Sequence, residues 1–325
     1  MTDRTPPVGL LAARPLVLVG TTASGKTALA LAVAERIPGA EIVSVDSMAV
    51  YAGLRIGTAA PGEEDLARVP HHLVGHVDPA REHTVGEFAR EARRAVADIR
   101  DRGGVPILVG GTGLYVRAVV DELDIPPRHP EVRRRLEGRS TAELAAELTR
   151  LDPVAASRIE AGNRRRLVRA LEVTLGSGRP FSSYGPGLTA YPPTPYVQVG
   201  IRRTRADIDA RIERRLDAQL AAGWLDECRA LLGRPLSHTA RQALGYAELF
   251  AHLAGEYDLA EARSRIARRS RRLARRQERW FRRDPRLVWL DAPVDPDTVV
   301  AVWENSVRGA GDADGFPDAT MGTRQ

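Results

Sequence analysis

Pro15-Leu-Val-Leu-Val19, Gly20-Thr-Thr-Ala-Ser-Gly-Lys-Thr27 and Ala28-Leu-Ala-Leu-Ala-Val-Ala-Glu-Arg36 follow one another without a break. The first piece is an apolar run with the character of a buried parallel strand. The second has the spacing G-x-x-x-x-G-K-[ST] of a phosphate-binding loop. The third is a strong helix former, and the N-terminus of a helix favours an anion. Strand, loop and helix in that order predict a site for a di- or triphosphate ester. Its expected ligands are Gly20, Thr21, Thr22, Ala23, Ser24, Gly25, Lys26 and Thr27. The glycines let consecutive N–H groups turn inward, Lys26 adds a positive charge, and the Thr27 hydroxyl is placed to ligate Mg²⁺.

Further strand–helix units follow. Glu41-Ile-Val-Ser-Val-Asp46 reads as a second strand ending in a carboxylate. Thr84 and Glu87 form a capping box ahead of a helix with Val85, Phe88, Ala92, Val96 and Ile99 on one stripe. Val105-Pro-Ile-Leu-Val109 is another buried strand, ending at Gly110-Gly-Thr-Gly113. This alternation predicts an α/β fold, a phosphate-loop parallel sheet flanked by helices, with ligands at the carboxyl ends of the strands. A nucleotide hydrolase or kinase of this class needs an acidic strand end to hold Mg²⁺, but Val105–Val109 ends in Gly-Gly-Thr. Asp46 is the carboxylate at a strand end near the loop. It is either a base toward an acceptor molecule or a structural cap for the following helix.

After Leu123 the pattern changes. Pro126, Pro127 and Pro130 interrupt it, and helical segments follow at 131–137, 140–150, 153–160 and 163–175. A glycine- and proline-rich loop then leads to Tyr196-Val-Gln-Val-Gly200, a return to the sheet. The expected organisation is a flexible N-terminus over 1–14 and a phosphate-loop catalytic domain over 15–121 and 193–305. An all-helical insertion occupies 122–192, and a disordered tail 306–325.

The single cysteine, Cys228, excludes a disulfide framework and suits a reducing cytoplasmic setting. No stretch has the apolar length of a membrane span. His71, His72 and His76 lack the ligand spacing of a zinc site. The formal net charge is +6, and its distribution is informative. Twelve arginines fall between Arg263 and Arg286 against Glu278 and Asp284. Arg164, Arg165, Arg166 and Arg169 form a second cluster far away in sequence. Two dense clusters favour a polyanionic partner over plain solvated surface. Arg211 and Arg215 repeat at four residues beside the apolar stripe Ile208, Ile212, Leu216 and Leu220. They either reach phosphates or pair with Asp207 and Glu213.

Eight short motifs stand in order: Gly20–Thr27, Ser44-Val-Asp-Ser47, Ile56-Gly-Thr-Ala-Ala-Pro61, Pro70-His-His72, Gly110-Gly-Thr-Gly-Leu-Tyr115, Arg166-Leu-Val-Arg-Ala-Leu-Glu172, Gly223-Trp-Leu-Asp-Glu227 and Leu244-Gly-Tyr246. Over about residues 15–291 the chain resembles the bacterial tRNA dimethylallyltransferases, also called tRNA isopentenyltransferases. The resemblance implies transfer of a dimethylallyl group from dimethylallyl diphosphate to N6 of adenosine 37 beside the tRNA anticodon, with diphosphate leaving. It implies Mg²⁺ on Thr27, Asp46 as the base, and Thr112 in the catalytic site at the tRNA contact. Arg215 and Arg211 would neutralise the departing diphosphate. Asp46, Ser47, Met48, Ala49, Arg133, Arg165, Arg166, Arg169, Arg241, Gly245 and Tyr246 match tRNA-contacting positions. The helical insertion would grip the anticodon stem-loop, and a monomer is expected. Two departures stand out: Thr21 where the family usually has proline, and Ala247 where it usually has a basic residue. Free adenine nucleotides are the rival acceptor, for which neither insertion nor arginine clusters are needed.

Overall fold

A computed structural model describes residues 14–185 and 187–311. The chain divides into two compact units. The first comprises residues up to Glu82, Ala92–Gly113 and the chain from Thr194; the second comprises His83–Glu91 and Leu114–Pro193.

The first unit is built on a parallel sheet in the order β3-β2-β4-β1-β5-β6. The strands are β1 (Leu16–Gly20), β2 (Ala40–Val45), β3 (His71–His72), β4 (Val105–Gly110), β5 (Val197–Arg202) and β6 (Val288–Asp291). β1, at the centre, is buried throughout, as its unbroken apolar run requires. The two outermost strands are the ones the sequence conceals. β3 is only two histidines long and is held where His72 Nε2 meets Glu41 at 2.6 Å. β6 carries Trp289 across Gly200, where any Cβ would lie 2.7 Å from the indole.

Helices α1 (Lys26–Ala34), α2 (Glu63–Arg68) and α3 (Val85–Asp101) alternate with the first strands. The predicted Thr84–Glu87 capping box is formed at the start of α3. α4 (Gly113–Val120) follows β4. Ile42, Ile107, Val199, Val299 and Trp303 join β1 and α1 in one apolar cluster.

In the second unit, α5 (Pro130–Glu137), α6 (Thr141–Leu151), α7 (Pro153–Arg158) and α8 (Arg164–Ser177) close around Val132, Leu136, Leu144, Leu148, Leu167 and Leu171. The sequence signals recur as caps: Ser140 accepts from Glu143 N, and Asn163 accepts from Arg166 N. This unit begins earlier than the expected boundary at 122. Tyr115 on α4 packs on Phe88 of α3 with ring centroids 4.8 Å apart.

After β5 the first unit continues through α9 (Arg205–Ala221), α10 (Trp224–Leu232), α11 (His238–Arg241), α12 (Tyr246–Leu253), α13 (Leu259–Phe281) and, beyond β6, α14 (Pro296–Gly311). α14 carries through 306–311, where the sequence suggested the start of a tail. Val302, Trp303 and Val307 extend its apolar face onto the sheet core, so helix continues. Arg14 is likewise fixed rather than loose, donating to Thr194 O at 2.9 Å and Pro195 O at 2.8 Å. The remainder of both expected termini, 1–13 and 312–325, lies outside the described residues.

Candidate active site

Parallel pairing puts every strand's carboxyl end on one edge of the sheet. Along that edge stand Asp46 after β2, Gly110–Gly113 after β4, the phosphate loop after β1 and Arg203 after β5. Two strand spacings, roughly 10 Å, separate the end of β2 from the end of β1. The Thr112 turn lies between them.

The loop is shaped by short-range geometry and fastened from outside. Gly25 takes φ 92° as the N-cap of α1, a left-handed conformation natural for glycine. A Cβ on Gly20 would lie 2.6 Å from Ser24 Oγ. Two arginines reach the loop's carbonyls: Arg211 Nε donates to Ala23 O and Arg203 Nε to Ser24 O, each at 2.7 Å. Thr21 adds its own carbonyl to the turn, accepting from Ser24 N at 3.2 Å.

The open question over Arg211 and Arg215 is resolved by what the acids do instead. Asp207 pairs with Arg203 at 2.6 Å, and Glu213 pairs with Arg263 and Arg271. Arg215 is half-buried and, among the described residues, makes no hydrogen bond or ion pair. Burial depresses its guanidinium from the ordinary value, and Asp46 acts in the opposite sense. Burial also lowers the Lys26 ammonium to about 8, with Asp46 opposing and Arg215 adding to the fall. Lys26, Arg215 and Asp46 thus feel one another's charge across the sheet edge.

Asp46 divides its labour between two oxygens. Oδ1 accepts from Met48 N at 2.8 Å and Ala49 N at 3.2 Å, which is the structural cap. Oδ2 makes no hydrogen bond among the described residues. One oxygen fixes the turn and the other stays available to an acceptor. Ser47 and Met48 are half-buried on this turn, and Ala49 is buried.

Gln277 of α13 was not legible as a site residue. Its Oε1 accepts from Thr22 N at 2.7 Å, and its Nε2 donates to Gly111 O at 2.9 Å. A Cβ on Gly111 would sit 2.6 Å from Gln277 Nε2, and one on Gly113 would sit 2.1 Å from Trp280 Cδ1. The glycines around Thr112 are therefore demanded by α13. Arg203 is equally absent from any sequence pattern; both reach the loops across more than 160 residues of chain.

The residues matched to RNA contacts separate into distinct groups. On the second unit, Arg165 and Arg166 are exposed and free of ion pairs among the described residues. Arg133 and Arg169 both bond the buried Glu172, at 3.3 and 3.0 Å. Arg169 also donates to Pro126 O and Pro127 O, so it staples the start of the helical bundle. On the first unit, Arg241 is exposed, whereas Tyr246 is 1% exposed and presents no surface to a ligand. Its hydroxyl donates to Glu227 at 2.6 Å and accepts from Gly57 N at 3.1 Å. Glu227 also accepts from Arg55 N and Ile56 N. Cβ atoms on Gly57 and Gly245 would each collide with the Trp224 ring. Three motifs of the sequence therefore converge on one structural knot. On α13, Arg272, Arg275, Arg276 and Arg279, and Arg283 just past its end, carry no ion pair among the described residues, while their neighbours pair with Glu213, Asp217, Glu248, Glu261 and Glu278. The spacing places the four helical ones on one stripe of α13.

Thr27 is exposed on the first turn of α1. No acid closes β4, so the protein offers few oxygen ligands of its own. This fits a magnesium ion held mainly by a ligand's phosphate oxygens, with the Thr27 hydroxyl from the protein.

These features define an α/β protein with a phosphate-loop motif after β1 and Asp46 at the end of β2, in which β4 ends without an acid. The family model of the IPP transferases matches residues 49–284, and the chain belongs to that family. It is 46% identical over 300 residues to a tRNA dimethylallyltransferase of a Nocardioides species, covering 89% of this chain and 95% of that one. A solved tRNA isopentenylpyrophosphate transferase of Bacillus halodurans superposes with a TM-score of 0.68 at 33% identity, covering 94% of this chain and all of that one. A eukaryotic dimethylallyltransferase acting on tRNA shares the fold, with a TM-score of 0.71 at 24% identity.

Proposed function

We infer that the chain is a tRNA dimethylallyltransferase that moves a dimethylallyl group from dimethylallyl diphosphate to N6 of adenosine 37, beside the anticodon. The observation that carries this reading is the pairing of a phosphate loop with a carboxylate that has one oxygen uncommitted. The target adenine leaves its stack, as base-modifying enzymes require. Its N6 attacks the allylic carbon as the C–O bond to diphosphate breaks. The N6 proton passes to Asp46 Oδ2. Lys26, Arg211 and Arg215 take up the charge that gathers on the departing diphosphate, and Thr112 borders the adenine. When bound, Mg²⁺ supplies further positive charge to the diphosphate oxygens. The α13 stripe together with Arg165, Arg166 and Arg241 supplies cations for RNA phosphates. All the reacting groups belong to one unit of one polypeptide, which supports a monomer.

Labelled dimethylallyl diphosphate, Mg²⁺ and unmodified tRNA carrying adenosine 37 test the reading. Label on that adenosine is expected. Label on AMP at a comparable rate, or none on tRNA, would contradict it. No helix among the described residues is long and apolar enough to cross a membrane.

A further inference from the structure

We propose that Gln277 is a positioning residue that couples the RNA surface to the diphosphate loop. The proposal rests on the transfer reading above and extends it.

The carboxamide has one acceptor oxygen and one donor group, and it spends each on a different loop. Oε1 holds Thr22 N of the phosphate loop at 2.7 Å, while Nε2 holds Gly111 O beside Thr112 at 2.9 Å. The Gln277 carboxamide supplies both a neutral donor and an acceptor from one planar group, which neither methionine nor ionised glutamate of similar length does. Three residues on, Trp280 lies against Gly113. The pair at i and i+3 therefore grips both ends of the Gly111–Gly113 turn. Substituting either glycine would drive a Cβ into this grip.

The same helix carries the unpaired stripe Arg272, Arg275, Arg276 and Arg279. Gln277 lies between Arg276 and Arg279 in sequence but leaves the helix on a different face, the one that meets Thr22 and Gly111. Phosphates that engage the stripe pull on the element whose side chain sets the shape of the loop. A loop shaped for diphosphate in turn fixes the helix register offered to RNA. Such coupling is reciprocal by thermodynamic necessity. The device orders the site so that the donor is held best when the acceptor is present.

The test uses the full chain, magnesium pyrophosphate and an anticodon stem-loop RNA, a pair that cannot react because no prenyl group is present. Calorimetry gives the pyrophosphate Kd with and without saturating RNA. In the unaltered chain RNA should tighten pyrophosphate by about fivefold or more. Gln277→Met, close in volume but without either hydrogen bond, should abolish that factor and leave RNA affinity alone within about threefold. Gln277→Glu keeps the acceptor and loses the donor to Gly111, so it should also fail to couple. An unchanged coupling factor in a folded Gln277→Met chain, or no coupling in the unaltered chain, overturns the proposal. Label transfer by the unaltered chain is measured alongside. Its presence with unchanged coupling removes only the role of Gln277, and its absence removes the transfer reading itself.

Discussion

Arg203 donates from Nε to the carbonyl of Ser24 at 2.7 Å while its Nη1 is held by Asp207 at 2.6 Å. The guanidinium is thereby a fixed strut between α9 and the phosphate loop. Lysine has no fork with which to meet both partners. Arg203→Ala and Arg203→Lys should both raise KM for the allylic diphosphate by about tenfold, with kcat within about threefold. Steady-state kinetics at saturating tRNA check this. A fall in kcat at constant KM would mean that Arg203 acts on the transition state instead.

Lys26 gives the site a dependence on pH. With its ammonium lowered to about 8, the free site sheds this charge as pH rises through that value. Diphosphate prefers the charged form, so pyrophosphate affinity should weaken between about pH 8 and 10, by up to tenfold per unit. Lys26→Arg stays charged and should flatten the decline relative to the unaltered chain. For stability the sign is opposite. The folded chain loses this proton before the unfolded chain does, so the Lys26 contribution improves from about pH 8 to 10.5. Pyrophosphate titrations of both proteins at matched pH distinguish the cases.

Tyr246 is expected to act on folding rather than on RNA. Burial, then the neighbouring Glu227 carboxylate, hold its phenol far above the ordinary tyrosine range, so it remains a donor. Tyr246→Phe removes a hydrogen bond to Glu227 and leaves Gly57 N without its acceptor. The unfolding free energy should drop by about 1–3 kcal/mol in denaturant titrations. RNA affinity of the folded protein should change by less than about threefold. A large loss of RNA binding with unaltered stability would place the phenol at the interface after all.

Arg165 and Arg166 are the cations at the start of α8 that have no protein partner among the described residues. Replacing both with alanine should weaken stem-loop binding and make the dependence of log K on log salt shallower by about 1.5. Replacing Arg169 should instead lower the stability of the helical bundle, because its bonds go to Pro126, Pro127 and Glu172. Equal salt slopes before and after the double substitution would show that the pair touches no phosphate.

Much of this was visible in the chain itself. The phosphate loop declared itself because strand, turn and helix propensities agree over adjacent residues. The capping boxes at Thr84 and Ser140 were legible for the same reason, since each is local. Asp46 was recognisable as important, but sequence posed its two roles as rivals; the geometry shows the cap on Oδ1 and leaves Oδ2 without a hydrogen bond among the described residues. β6 escaped notice because it is a four-residue edge strand with exposed ends, following directly on an arginine-rich helix. Gln277 and Arg203 were invisible because their partners lie 255 and 179 residues away, and neither stands in a periodic pattern. The reading of Tyr246 shows the converse hazard. A motif position can persist for packing, and only burial tells it from a contact.

The most direct measurement of the central claim is single-turnover transfer from labelled dimethylallyl diphosphate to adenosine 37 by Asp46→Asn. The amide side chain keeps the Oδ1 cap to Met48 N and Ala49 N but cannot accept the N6 proton. The chemical step should slow by about 10²–10⁴-fold while tRNA and pyrophosphate bind as before. A rate within about threefold of the unaltered chain would contradict the assignment of Asp46 as the base and the chemistry built on it.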